Sequence, residues 1–484
     1  MNYKEESLDP ENWDEMRALG HRIVDDVMTY LEHIREADTN YPTKEAIQKI
    51  TSSLPDEGYG EEETYEVFLE NILPYTPYHI KPRFWGVVAG TGSPYGVLTE
   101  MLRGAINGGV EAIVADAYVN RQALDWIKEL LDFPQDFSGV FTYGGSEANF
   151  TGLAVARNTK ADHDMKGKGM QGQERKMVLY CSDETHVCLE RSVELLGLGN
   201  EALRWIPTDD DYMIKIPSLR KAIEEDRMHG YHPFCVTGNA GTVNTGAFDD
   251  FRELRRLADR EDLWLHIDGA FGSWVKLSET HRHLADGLES ADSLAVDLHK
   301  WMYMPYGIGC ALVRDRLAHY STFAYGHDAE YIKSGGELSV EALSGAYNLA
   351  LPLSRGFPSL KPYMLLRAYG KDKYRRLIQQ NLDQIQYLAD RLVGEPCFEI
   401  LAPVQSNIVC FRYVEEGLSE AELEELNRGI LAELYEINFW MISDTVSKGV
   451  YMLRACCVNH RSRWEDFDYL VDKMKETAIR LMMS

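Results

Sequence analysis

The chain has 484 residues, 45% hydrophobic and 26% charged, which is enough for a large core and ordinary for a globular protein. Its 77 acidic against 50 basic residues give a net charge of -27, a surface that repels phosphate backbones and anionic lipid and so argues against nucleic acid and membrane partners. Eight scattered cysteines without a Cys-x-x-Cys pair or zinc-like spacing, residues 1–7 without a signal-peptide core, and no uncharged apolar run of the roughly 18 residues a membrane span needs predict free thiols, no metal centre and a cytoplasmic location.

The opening segment reads as helix. Ile23, Val27, Leu31 and Ile34 recur on one helical face, and Tyr41-Pro42 breaks the pattern. A second helix is expected over 61–73, ended by Pro74 and Pro77. Residues 1–80 thus form a thin helical segment whose apolar face asks for a partner, which points to a dimer. From about Lys81, short apolar runs at 139–142, 177–181, 234–237, 263–267, 293–296 and 310–313 alternate with helical stretches such as 147–157, 218–225 and 251–260. This alternation predicts an α/β domain over 81–368, with a mostly parallel sheet covered on both faces and ligands bound at the C-terminal ends of its strands. Two polar stretches, 164–176 and 326–339, read as loops, the second as a lid. Residues 369–484, helical with strands at 407–413 and 450–456, read as a smaller α/β domain.

Two segments carry the chemistry. In Leu263-Trp264-Leu265-His266-Ile267-Asp268-Gly269-Ala270 and in Asp297-Leu298-His299-Lys300-Trp301, a polar group stands at the end of an apolar run. A pyridine-ring aldehyde cofactor needs these two groups: an amine (Lys300) to condense with the aldehyde, and a carboxylate (Asp268) to keep the ring nitrogen protonated so that the ring accepts electrons. Tyr143-Gly144-Gly145-Ser146-Glu147-Ala148-Asn149 joins a strand to a helix, where glycines admit a ligand, free helix N–H groups face an anion, and Ser146 adds a hydroxyl. The pattern is neither of the two common nucleotide loops. His299 is placed to donate to a phosphate. Ala270, on the same side of an extended chain as Asp268, is small enough for a flat ring to lie against it. His186, beyond the run 177–181, is placed to stack on a ring or to move protons near neutral pH. Taken singly, these are a snorkelling lysine, a turn-capping aspartate and a glycine turn; their coincidence is the signal.

Gly-Gly-Ser-Glu-Ala-Asn (144–149), Asp-Glu-Thr-His (183–186), Gly-Thr-Val-Asn-Thr-Gly-Ala-Phe-Asp (241–249), His-Ile-Asp-Gly-Ala-Phe (266–271) and Asp-Leu-His-Lys-Trp (297–301) occur in this order. With Pro82-Arg83-Phe84-Trp85, Leu453-Arg454-Ala455-Cys456 and Asn459-His460-Arg461, they resemble the group II pyridoxal-phosphate decarboxylases, and among these the aromatic-L-amino-acid decarboxylases, from about residue 10 to the C-terminus. The resemblance implies pyridoxal 5'-phosphate as cofactor, a type I aminotransferase-like fold, a free amino acid substrate and an obligate homodimer with active sites at the interface. It implies Lys300 as the residue linked to the cofactor, Asp268 on the pyridinium nitrogen and His186 on the ring. Gly145, Ser146 and His299 serve the phosphate, and Thr242 and Ala270 complete the cofactor contacts. A lid tyrosine in a Tyr-Leu-Lys-like triplet is answered by Tyr331-Ile332-Lys333, 31 residues past Lys300. That tyrosine protonates the substrate α-carbon after carbon dioxide leaves. Relatives that make aldehydes tend to lack it or the stacking histidine, so the presence of both favours simple decarboxylation.

The sequence departs from the pattern in three places. Val243 replaces a second threonine, removing one hydroxyl near the ring. Asp297 stands where some animal members have asparagine, and an acid near a phosphate is unfavourable unless turned away or protonated. The stretch 85–90 is less aromatic than in animal members, and Glu111 falls near a pocket position that is often apolar. Trp85, Val88 and Glu111 are the expected substrate contacts. The predicted reaction is decarboxylation of an aromatic L-amino acid. The rivals are an aldehyde synthase on the same scaffold, a decarboxylase of glutamate or diaminobutyrate type, and a non-catalytic dimer.

Overall fold

The computed structural model describes residues 6–37, 40–51, 53–76, 78–108, 115–324, 348–437 and 441–483. Contacts divide the chain into two compact units, Met1–Pro82 and Arg83–Ser484. The expected lid at 326–339 lies outside the described residues.

The first unit is helical. Trp13–Glu32 starts at Asn12, whose side chain accepts from the amides of Asp14 and Glu15. Glu61–Val67 runs on as a π turn, Phe68–Ile72, and a 3-10 turn, Leu73–Tyr75. The Tyr65 hydroxyl donates to Asp26 at 3.0 Å and ties these two helices together. A further helix, Lys44–Ile50, capped by Thr43, is too short for its apolar period to be read from sequence.

The second unit holds two sheets. Its strands are β1 (Ser138–Thr142), β2 (Met177–Ser182), β3 (Leu203–Ile206), β4 (His232–Asn239), β5 (Trp264–Asp268), β6 (Ser293–Asp297), β7 (Gly309–Val313), β8 (Phe398–Ile400), β9 (Ile408–Tyr413), β10 (Ser443–Ser447) and β11 (Val450–Cys456). The larger sheet has seven strands in the order β1-β7-β6-β5-β4-β2-β3. β7 is antiparallel to both neighbours, and the other pairings are parallel. β5, β6 and β7 are buried at every residue, which is why they read as continuous apolar runs and not as alternating ones. The smaller sheet, in the order β10-β11-β9-β8, is antiparallel. The expected domain boundary near 369 falls inside the helix Leu360–Val393, beside its break at Gly370 (φ 68°), and both sheets belong to the one compact unit.

The helix Gly145–Lys160 crosses the sheet on a face of small residues, among them Ala148, Gly152 and Ala156. That face lets the helix lie close, with its N-terminus at the strand ends. The turn after β6 is pinned from several sides. The Trp274 indole donates to the Asp297 carbonyl at 2.7 Å. The Trp301 indole and Tyr303 hydroxyl both donate to Asn381 Oδ1, at 3.1 and 2.6 Å. Lys361, 1% exposed, donates to the carbonyls of Pro305 and Tyr306 and pairs with Glu100 at 2.6 Å.

Gly90 packs against this turn so closely that a Cβ there stands 2.2 Å from the carbonyl oxygens of both His299 and Lys300. Backbone has to move to admit a methyl group. Gly90→Ala is expected to cost roughly 2 kcal/mol or more in urea unfolding and to weaken cofactor retention with it; wild-type stability in the variant refutes the contact.

Candidate active site

β5 and β6 are hydrogen-bonded neighbours with Asp268 opposite Ala295, so Asp268 and Asp297 end at the same edge of the sheet and Lys300 follows one turn later. A cavity of about 870 Å³ opens there. On its lining lie Gly145, Ser146, His186, Asp268, Ala270, His299, Lys300 and Val88, drawn from segments more than 200 residues apart.

Lys300 Nζ is 3.0 Å from Asp297 Oδ2. Burial opposes the ammonium charge, but the carboxylates of Asp297 and Asp268 outweigh it and hold the amine above its ordinary value. Asp268 is 7% exposed; its Oδ1 accepts the Ala270 amide at 3.1 Å and its Oδ2 the Cys188 thiol at 3.9 Å. His186 faces the cavity, its Nδ1 accepting the Cys188 amide at 3.1 Å, and desolvation by the surrounding walls pushes it below its usual value, toward the neutral ring. His299 donates from Nδ1 to the Ile308 carbonyl at 2.9 Å and lies 4.5 Å from the Tyr306 ring. Burial lowers its pKa as well.

Gly144 and Gly145 shape a cradle at the helix N-terminus. A Cβ on Gly144 stands 3.0 Å from His299 Cε1, and one on Gly145 stands 2.8 Å from Asp297 Oδ2. Asp297 is thus not turned away. It is 1% exposed, its Oδ2 pairs with Lys300, and its Oδ1 is buried without a hydrogen-bond partner among the described residues.

Two expected contacts lie elsewhere. Trp85 is fully buried, stacked on Phe467 at 4.4 Å, with its indole donating to Ser462 Oγ at 2.9 Å; the neighbouring Gly86, Val87 and Val88 reach the cavity instead. Thr242, 2% exposed, is spent on its own turn, with Oγ1 2.9 Å from Thr245 Oγ1 and accepting the Ala247 amide at 3.1 Å. Val243 lines the cavity in its place. Tyr331 and Glu111 lie outside the described residues. Sequence reasoning passed over Arg454, Tyr435, Asn149 and Cys188, all on the lining. Asn149 and Arg454 stand inside motifs already quoted, and Cys188 is two residues past His186.

This donor set fits pyridoxal 5'-phosphate. It offers an amine for the aldehyde, a carboxylate on the adjacent strand for the ring nitrogen, and helix amides with a serine hydroxyl in a glycine cradle for the phosphate. Among the described residues no group of three His, Cys, Asp or Glu is placed to hold a metal ion, and no helix is long and apolar enough to cross a membrane.

The pyridoxal-dependent decarboxylase conserved domain matches residues 44–414. An aromatic-L-amino-acid decarboxylase of Bacillus atrophaeus is 32% identical, over 97% of each chain. A phenylacetaldehyde synthase of Arabidopsis thaliana is 28% identical, over 93% of this chain and 92% of that one. The fold is shared with the crystal structure of Oryza sativa TDC with PLP and tryptamine, at a TM-score of 0.89 and 23% identity, over 98% of this chain and all of the other. The chain therefore belongs to the pyridoxal-dependent decarboxylases and is a pyridoxal-phosphate-dependent amino acid decarboxylase.

Proposed function

We propose that this enzyme, acting as a homodimer, converts an aromatic L-amino acid to its amine and carbon dioxide. The make-up of the cavity beyond the cofactor set carries this reading. Its walls include Val87, Val88, Val243, Phe271 and Tyr435, and among the described residues its one guanidinium is that of Arg454. Arg454 is 5% exposed and donates to the carbonyls of Gly86 and Asn244 and to Ser443 Oγ; no carboxylate among the described residues pairs with it. One cation answers the one carboxylate of an apolar amino acid, whereas an acidic side chain requires a second. Of the wall acids away from the cofactor set, Asp444 pairs with Arg428 at 3.7 Å, and Glu147 accepts the Tyr143 amide at 2.7 Å through Oε2 while its buried Oε1 has no hydrogen-bond partner among the described residues. The names of the relatives point the same way.

Bound pyridoxal phosphate supplies the sink for the electron pair that departing carbon dioxide leaves behind. Asp268 would hold the ring nitrogen and keep it protonated. Lys300 would be the residue that holds the cofactor through its amine, and to do so the amine would have to shed the proton that Asp297 and Asp268 stabilise. His186, neutral and flat on the cavity wall, would hold the ring from one face. Arg454 orients the substrate carboxylate. Tyr331 gives the proton to the α-carbon.

Two measurements test these assignments. Asp297→Asn removes a negative charge beside the phosphate cradle and relaxes the hold on the Lys300 proton, so cofactor is expected to load faster and roughly tenfold tighter in a fluorescence titration; weaker loading overturns the placement of the phosphate. Purified enzyme with cofactor is then given aromatic, acidic and basic L-amino acids, with amine and aldehyde quantified separately. Amine from an aromatic substrate is expected, and Tyr331→Phe should divert product toward aldehyde. Turnover confined to acidic or basic substrates overturns the pocket reading. Aldehyde from the wild type moves the enzyme to the synthase branch.

A further inference from the structure

Behind Asp268 runs a chain of buried polar side chains that the reaction does not touch. The Trp264 indole donates to Ser293 Oγ at 2.7 Å. Ser293 Oγ is 2.8 Å from His266 Nδ1, and His266 Nε2 is 2.8 Å from Asn149 Oδ1. Asn149 Nδ2 donates to Cys188 Sγ at 3.4 Å, and Cys188 Sγ donates to Asp268 Oδ2 at 3.9 Å. None of the six residues is more than 7% exposed.

The two ends fix the direction of every link. An ionised carboxylate only accepts, so the thiol proton points at Asp268 and the sulfur must take its hydrogen from the Asn149 amide. Asn149 Oδ1 then faces His266, whose Nε2 carries the proton. Nδ1 is left bare for the Ser293 hydroxyl, and the serine oxygen accepts from an indole that only donates. Burial agrees with this protonation: it holds His266 near 4, hence neutral, and pushes the Cys188 thiol well above its ordinary value, hence protonated. The helix beside the chain makes room for it. A Cβ on Gly152 would stand 2.7 Å from both Cε1 and Nδ1 of His266 and 3.0 Å from Ser293 Oγ.

We infer that Cys188 is a positioning residue for Asp268, the last donor of a one-way hydrogen-bonded chain from Trp264 that directs a proton at Oδ2 of this carboxylate and so leaves the shared proton on the cofactor's ring nitrogen. The inference rests on Asp268 as the partner of that nitrogen. Aligned hydrogen bonds polarise one another, so five in a row deliver more to the carboxylate than a lone thiol, itself a weak donor.

The test is the 15N chemical shift of ring-labelled pyridoxal phosphate bound to the intact enzyme, together with the cofactor dissociation constant. Wild type, Cys188→Ala, Cys188→Ser and Asp268→Asn are compared. Cys188→Ala is expected to move the shift toward that of an unprotonated pyridine and to weaken cofactor binding about threefold, the low end for one lost hydrogen bond. Cys188→Ser, which keeps a donor, is expected to restore the wild-type shift. Asn149→Ala, one link further back, should move it in the same direction by less, and decides the matter if Cys188→Ala fails to fold. A packing role predicts lower thermal stability with an unmoved shift. If Asp268→Asn moves the shift and the Cys188 and Asn149 variants do not, the chain is overturned and Asp268 stands. If Asp268→Asn leaves it unmoved, the assignment of Asp268 falls, and the chain's role with it.

Discussion

Two carboxylates and an ammonium, gathered at the ends of adjacent buried strands, set the terms for the rest of this structure. Taking such charges out of water costs several kcal/mol each unless they pair closely. Lys300 and Asp297 do so at 3.0 Å, and Asp268 is compensated by an amide and a thiol. The sheet is what brings the charges together: parallel strands of similar length end at a common edge, and β5 and β6 are adjacent. Sheet order thus decides that Asp268 and Lys300 share one cavity.

Holding the amine there requires a turn that does not yield. Tyr303 sits at φ 52°, a left-handed conformation uncommon for a bulky residue. Its hydroxyl, the Trp301 indole and the Lys361 ammonium fasten the turn to the helix Leu360–Val393, while Trp274 holds it from the other side. Strain at such a position persists only where surrounding contacts over-determine it. The helix does so from side chains that never reach the cavity, and a reacting group placed this firmly spends less on orientation when substrate arrives.

Much of this was legible in the residues because burial and period leave plain marks. The six apolar runs between 139 and 313 are strands, and the helices between them lie where their periodicity puts them. β3 escaped notice because Leu203-Arg204-Trp205-Ile206 is four residues with an arginine in the middle, paired on one side only. Trp85 was misplaced for a different reason. An indole beside Gly86 and Val87 suits either a pocket wall or a core, and only the arrival of Phe467 and Ser462, almost 400 residues later, decides it. Thr242 was lost to a hydroxyl-hungry turn of its own. Asn149 and His266 meet across 117 residues. No spacing rule reaches that far, because the contact belongs to a helix laid on a sheet.

The cradle offers an acidic protein a way to receive an acidic cofactor. With a net charge of -27, the long-range field repels a phosphate, and Asp297 repeats the insult at close range. Among the described residues the cavity lining carries only Lys300 and Arg454 as fixed cations; Lys300 is tied to Asp297, and Arg454 to backbone carbonyls and a serine. What the cradle offers a phosphate is a set of neutral donors: the opening amides of Gly145–Lys160 and the Ser146 hydroxyl. Dipoles of this kind act over a few ångströms and need no counter-ion, but they demand close approach, which a side chain at 144 or 145 forbids. The two glycines therefore do for this site what a lysine or arginine does elsewhere. They let the backbone itself supply the attraction that the charge of the chain withholds.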